Sequence, residues 1–346
     1  MAALLPRIAL RLHGGQSPAA CVELAAAADR AGFGTVWFAE NPFGRGVLPA
    51  MAACAVATRN VRLGIGVFNP FNRHPTLIAM EAAALDELAG GRAVLGLGAG
   101  IGSRVRQMGL AWDRPIGAMR DALAIVRGLL AGQEVTHAGR VFSARGVRLE
   151  HPPARADVPI LMAAMGDQAI ALTGELADGL IVSNGCARGY TARAVALMGE
   201  AAARAGRPAP PGVVQYVVCA VRRDGAEARR AIKPVLGAML LGYWRSGGDS
   251  PAVRAAHLEH TGIEPDRFRG AMERLAAGAP AAEALDDRFV DAYTIAGTLD
   301  ECLAQCAAYR EAGVTELGLW FAGPESVADI ERFGSAVSRG SLSSHL

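Results

Sequence analysis

Eight short apolar segments, each followed by a helical pattern, constrain what this chain can fold into more than any other feature. They are RIALRLH (7–13), TVWFAE (35–40), VRLGIGV (61–67), AVLGLG (93–98), PILMAA (159–164), GLIVS (179–183), VVQYVVCAV (213–221) and TELGLWF (315–321). Most are apolar on both faces, as a strand is when barrel interior lies on one side and helices on the other. Strands alternating with helices predict a parallel sheet wrapped by helices. Eight such units in about 320 residues predict an α/β fold closed as a (β/α)8 barrel, a TIM barrel, rather than an open doubly wound sheet.

Local signals agree with that spacing. Ser17 followed by Pro18 is an N-cap with proline at the first helical position, and Ala31-Gly32 ends the helix. Pro75 opens a helix that runs to Ala89 before Gly90-Gly91, and Thr298 precedes a last barrel helix stopping near Gly313. Two stretches break the alternation: 133–149 reads as a β-hairpin turning at Ala138-Gly139, and 243–292 as a helical insertion before the eighth unit. Long excursions of the second kind commonly cover barrel sites, so it is a candidate lid on a single domain spanning 1–346.

Composition narrows the class. With 51% hydrophobic and 20% charged residues the chain can bury a sizeable core, and no run of about 18 uncharged apolar residues offers a membrane span. The N-terminal MAALLPRIALRLHGG lacks a basic leader region and reads as a first strand, so a soluble cytoplasmic protein with no membrane partner is expected. The six cysteines follow no CxxC pattern and are expected as buried thiols. Net charge is +2, Lys233 is the sole lysine, and the absence of any basic run argues against a nucleic-acid partner.

The chemistry-bearing residues gather where these strands end. Gly64 and Gly66 lie inside the third strand, where glycine marks a bulge or a close approach of backbone to a ligand; loose interior packing is the alternative. Asn69 to His74 then supply polar groups at the C-terminal end, where barrel enzymes place their sites. In GLGAGIGS (96–103) the third glycine of a dinucleotide fingerprint is missing, but Gly98, Ala99 and Gly100 can expose N–H groups to a phosphate or ring. Glu40, Arg11 and His13 end the first two strands and form the candidate catalytic set, although Glu40 reads equally well as half of a rim ion pair with an arginine. His257-Leu258-Glu259-His260 has no identifiable third ligand and reads as solvated helix surface, so no metal site is expected.

GVFNPFNRHPTLIAMEAAALDELAGGRAVLGLGAG (66–100), MAAMGDQAIALTGELADGLIVSN (162–184) and DAYTIAGTLDEC (291–302) resemble, in order, the luciferase-like superfamily, in particular the branch containing methylenetetrahydromethanopterin reductase. The resemblance implies a (β/α)8 barrel, usually a homodimer, holding coenzyme F420 or FMN at the barrel mouth. It also implies a bulge with a non-prolyl cis peptide in the third strand, here Gly66-Val67, behind the cofactor ring. Carried over residue by residue, Glu40 matches the family's second-strand acid and Gly98, Ala99 and Gly100 the loop along the cofactor tail. Ala163, Ala164, Met165 and Gly166 match the loop after the fifth strand, and Ser183 and Asn184 the end of the sixth; with Asn69 these complete the implied cofactor set. Two positions depart: Asn41 follows Glu40 where reductase-like members have Asp-His, and Arg11 stands where the pterin-reducing enzymes carry a glutamate.

The expected activity is hydride transfer between F420 and a small organic substrate. The alternative is an FMN-dependent monooxygenase, which alone would need a separate flavin reductase, and a third reading is a non-catalytic flavin-binding barrel. The polyanionic tail of F420 calls for a basic groove, for which Arg45, Arg73, Arg104 and Arg106 are candidates.

Overall fold

The computed structural model describes residues 5–210, 212–246, 251–323 and 326–342. From the N-terminus, strands β1 (Arg7–Leu12), β2 (Thr35–Phe38), β3 (Arg62–Phe68) and β4 (Ala93–Leu97) are followed by an antiparallel hairpin, β5 (Val135–Ala138) and β6 (Ser143–Val147). Then come β7 (Ile160–Ala163), β8 (Gly179–Val182), β9 (Gly212–Val221), β10 (Thr294–Gly297) and β11 (Glu316–Phe321). Eight of these, without the hairpin and β10, pair in parallel around a ring that closes where β11 meets β1 and β8 meets β9. The predicted barrel and all eight of its strands are present.

Outer helices α1 (Pro18–Arg30), α2 (Val47–Ala57), α3 (Pro75–Leu88), α4 (Gly102–Gln107), α5 (Pro115–Leu130), α6 (Asp167–Leu176) and α7 (Arg188–Arg204) surround the first six barrel strands. The expected caps form: Ser17 Oγ accepts from the Ala20 N–H at 3.2 Å, and Gly90 and Gly91 continue past α3 with positive φ. After β9 come α8 (Gly225–Ser246), α9 (Pro251–Leu258), α10 (Pro265–Ala276), α11 (Ala281–Ala284) and α12 (Asp287–Tyr293). The chain ends with α13 (Leu299–Glu311), which opens on a Thr298/Glu301 capping box, and α14 (Ser326–Leu342).

Three expectations need correction. A ninth parallel strand, β10, pairs Thr294–Gly297 with Val218–Val221. Strand β9 runs ten residues beside a β8 of only four, so its upper backbone would be an unpaired edge if β10 did not cover it. The hairpin turns through 139–142 rather than at Ala138-Gly139, because Asp121 of α5 accepts from the Val141 and Phe142 N–H groups at 2.8 and 3.1 Å. The insertion does not begin at 243, which is still within α8, and part of it packs into a core of its own. Phe268, Met272, Phe289 and Tyr293 form a second small core with α8 and the upper part of β9.

Inside the ring, Trp37 and Tyr216 pack edge to face at 6.0 Å with Ala9, Val94, Leu161, Ile181 and Val214. This explains the strand glycines differently from the expectation. A Cβ on Gly64 would collide with the Trp37 ring, and one on Gly66 with the Tyr216 hydroxyl. Packing of the interior therefore demands both glycines, whatever ligand the mouth takes. Below this layer the buried Glu316 carboxylate accepts from Trp37 Nε1 (2.7 Å), Thr35 Oγ1 (3.1 Å) and Arg62 Nη2 (2.6 Å), which closes the N-terminal end. All six cysteines are free and buried.

Candidate active site

Parallel strands all point their C-terminal ends the same way, so the first residues after each strand meet at one mouth. In β3 the register against β4 slips between Ile65 and Phe68, a one-residue bulge, and the Gly66-Val67 bond within it is cis. Val67 turns inward against Gly96 and Gly98, neither of which has room for a Cβ beside it. Gly98 N–H donates to the Phe68 carbonyl at 3.0 Å, and Trp112 Nε1 donates to the Ala99 carbonyl at 2.8 Å. Gly100 has φ +69° and lies against the Asn69 amide, where a side chain would clash.

Asn69 is buried, and its Oδ1 accepts from the Phe71 N–H at 2.9 Å while its Nδ2 has no partner. Across the mouth, the Met165 carbonyl accepts from Tyr190 at 2.8 Å beside buried Ala164 and inward-facing Ala163. Gly166 caps α6 with no side chain, so its first N–H groups are free of a capping oxygen. Ser183 meets the Tyr243 hydroxyl at 3.2 Å, and buried Asn184 leaves its Oδ1 without a partner.

Of the candidate catalytic set, Glu40 takes two hydrogen bonds from Arg73 Nη1, at 3.1 and 3.0 Å. Arg73 also pairs with Glu81 at 2.8 Å and stacks over the Phe68 ring at 4.2 Å. Its charge is thereby engaged at the rim, which removes it from the groove expected for a cofactor tail. Burial raises the Glu81 pKa, against the opposing pull of Arg73. His13 Nδ1 accepts from the Gly15 N–H at 3.1 Å, which leaves Nε2 as the proton carrier. Burial, then neighbouring Arg11, lowers the His13 pKa, so the ring is neutral near pH 7.

Sequence reasoning missed four residues of this mouth. Tyr216 and Trp320 flank Arg11, with ring centroids 5.3 and 5.5 Å from its guanidinium carbon. Only their alternation within β9 and β11 hinted at an inward position. Tyr243 reaches Ser183 from the end of α8 and stacks on His257 at 4.7 Å. His257 is not on a solvated surface as expected: it is buried, and its Nδ1 donates to the Gly185 carbonyl at 2.7 Å. Only His260 of that motif is exposed, and Glu259 pairs with Arg193. Among the described residues no group of three or more His, Cys, Asp or Glu is placed to hold a metal, and no helix is long and apolar enough to cross a membrane.

Buried polar atoms ordinarily have partners. Here Arg11 Nε and Nη1, Asn69 Nδ2, Asn72 Oδ1, Asn184 Oδ1, Tyr216 Oη and His257 Nε2 have none among the described residues. Except for Tyr216, which lies mid-strand in β9 with its hydroxyl at the β3 bulge, these belong to strand ends, the loops after them, or the helix that crosses them. A polar ligand at the mouth would satisfy them, and a flat heterocycle with carbonyl and N–H edges carries both the acceptors and the donors they lack. The donor set therefore fits a flavin-like ring.

Comparison with known proteins agrees. The 5,10-methylenetetrahydromethanopterin reductase of Methanolobus tindarius is 31% identical over 84% of this chain and 86% of its own. The F420-dependent glucose-6-phosphate dehydrogenase of Beutenbergia cavernae is 29% identical over 90% and 89%. The solved coenzyme F420-dependent tetrahydromethanopterin reductase of Methanopyrus kandleri superposes with a TM-score of 0.83 at 25% identity, covering 96% of this chain and 98% of that one. The profile described as luciferase-like monooxygenase matches residues 1–316. The chain thus belongs to the luciferase-like monooxygenase family of F420- or flavin-dependent oxidoreductases.

Proposed function

We propose that this protein is a coenzyme F420-dependent oxidoreductase acting on a small organic substrate at the barrel mouth. The observation that carries the reading is the gathering of orphaned buried polar groups at the mouth of a barrel whose relatives include enzymes named for F420. When bound, F420 would supply the hydride-carrying carbon. The chain's part is to hold and orient. Asn69, Ser183 and Asn184 would meet polar edges of the ring, while the backbone of Gly98, Ala99 and Gly100 and the open N-terminus of α6 at Gly166 would take the phosphate and tail. Exposed Arg45 and Arg104 are the nearer candidates for the anionic tail, since Arg73 is engaged by two carboxylates.

Glu40, Arg11 and His13 would face the substrate. His13 offers a neutral Nε2–H donor, and Glu40, held by Arg73, offers a fixed carboxylate that orients a partner or handles a substrate proton. Tyr243 at the end of α8 and His257 of α9 would form the lid, because they reach Ser183 and Gly185. The working unit would be a homodimer, for which exposed apolar Val56 on α2 and Leu77, Met80 and Leu88 on α3 provide a face. Equilibrium titration of the purified apoprotein with F420 and with FMN tests the reading. Tight F420 and weak FMN supports it, and the reverse overturns it in favour of the monooxygenase.

A further inference from the structure

Arg11 is a cation with no anion. Its Nε and Nη1 are shut off from solvent and have no hydrogen-bond partner, and among the described residues no carboxylate pairs with it. Other partly buried arginines behave differently: Arg62, Arg73, Arg155, Arg193 and Arg222 each meet an acid within 4 Å. A guanidinium stays protonated in proteins, and burying it unpaired is costly unless something compensates. The flanking Tyr216 and Trp320 rings provide cation–π contact, but rings accept no N–H hydrogen bonds of ordinary strength. His13 is uncharged beside it and carries a donor, so it does not neutralise Arg11.

The second orphan completes the arrangement. Tyr216 Oη is buried without a partner and lies where a Cβ on Gly66 would be, at the β3 bulge. Arg11 and Tyr216 therefore present a guanidinium edge and a phenol hydroxyl, both donors, beside the position proposed for the ring. A planar guanidinium edge between aromatic walls matches a carboxylate, which accepts from a fork of N–H groups and has lone pairs left for a hydroxyl. A phosphate accepts the same fork but carries more charge than one guanidinium offsets, and His13 beside it is neutral.

We propose that Arg11 and Tyr216 receive the carboxylate of the substrate, so that the substrate class is a small organic carboxylic acid. This rests on the mouth being the active site.

The test titrates acetate, benzoate and their neutral amides, acetamide and benzamide, into the protein with and without F420, following heat and the summed fluorescence of the four tryptophans, of which Trp320 lies against Arg11. At least one carboxylate should bind roughly ten- to a hundredfold more tightly than its amide, the loss typical of a charged hydrogen-bonding partner. Arg11→Met should abolish that preference, Arg11→Lys should retain part of it, and Tyr216→Phe should weaken it several-fold, with thermal melts verifying that each variant folds. F420 affinity should stay within about threefold in Arg11→Met, since a lost carboxylate contact outside the cofactor set leaves cofactor binding intact. Equal binding of acids and amides, or binding of neither, overturns the proposal. So does loss of F420 affinity in Arg11→Met, which would make Arg11 a counter-ion of the cofactor. Failure of the wild type to bind F420 while still preferring the acids would sink the cofactor reading and leave the carboxylate site standing.

Discussion

The hydroxyl of Tyr216 occupies the space that a side chain on Gly66 would need, so two strands on opposite sides of the barrel are fitted to each other at one atom. Gly66→Ala should cost about 1–3 kcal/mol, the usual range for overpacking a dense interior. Tyr216→Phe removes the colliding atom, and the next, Tyr216 Cζ, lies 3.3 Å from the added Cβ. The double variant Gly66→Ala/Tyr216→Phe should therefore be more stable than the sum of the two single changes. Urea denaturation of the four proteins measures this coupling, and simple additivity would remove the packing explanation.

Glu40→Gln keeps the shape of the side chain and removes its charge. Arg73 retains Glu81, so the rim should stay folded and F420 affinity should change little. Turnover should fall by roughly ten- to a hundredfold, the low end for loss of proton assistance. Steady-state rates at saturating F420 check it, and wild-type turnover would return Glu40 to the role of a rim ion pair.

At the opposite end of the barrel, Glu316 is the shared acceptor of Thr35, Trp37 and Arg62. Glu316→Ala orphans all three donors and should lose about 3 kcal/mol, the lower part of the range for breaking a buried ion pair, because Arg62 is partly exposed. Cofactor affinity should not change, since the mouth lies beyond the Trp37 layer. A stable variant that has lost F420 binding would contradict this separation of the two ends.

His257 and His13 both have lowered pKa values, His257 through burial partly opposed by its bond to the Gly185 carbonyl, and His13 through burial and Arg11. Both resist protonation in the folded chain, whereas the unfolded chain takes up protons from about pH 6.5 downward. Stability is thus full above that value and declines as pH falls toward the depressed folded values. Urea midpoints at pH 7.5 and 5.5 should show the drop, and His257→Gln should flatten it. Hydrogen exchange in α9 should be faster than in β9 and should slow when F420 binds; equal protection in both would end the lid assignment.

If the apolar face of α2 and α3 joins two copies, sedimentation should give twice the chain mass. Met80→Glu together with Leu77→Glu should then yield a folded monomer, and an unchanged sedimentation coefficient would point to another surface or to a monomeric wild type.

The barrel was legible in the sequence because strand length, helix caps and chain-stopping glycines are set by neighbours a few residues away. Ser17-Pro18, Gly90-Gly91 and the Thr298 capping box each announce an element boundary without reference to the rest of the chain. The resemblance located the β3 bulge at Gly66-Val67. β10 escaped notice because four residues, Thr-Ile-Ala-Gly, are too few to carry a periodicity, and its place depends on the edge that β9 leaves open. Only the tertiary structure decided that Gly64 and Gly66 accommodate Trp37 and Tyr216, that Glu40 is held by Arg73, and that His257 is buried under Tyr243. These are meetings of side chains from strands and helices far apart in the chain, which hydrophobic periodicity cannot pair. The absence of an acid beside Arg11 among the described residues belongs with them, because whether a partly buried charge is compensated depends on every element packed around it.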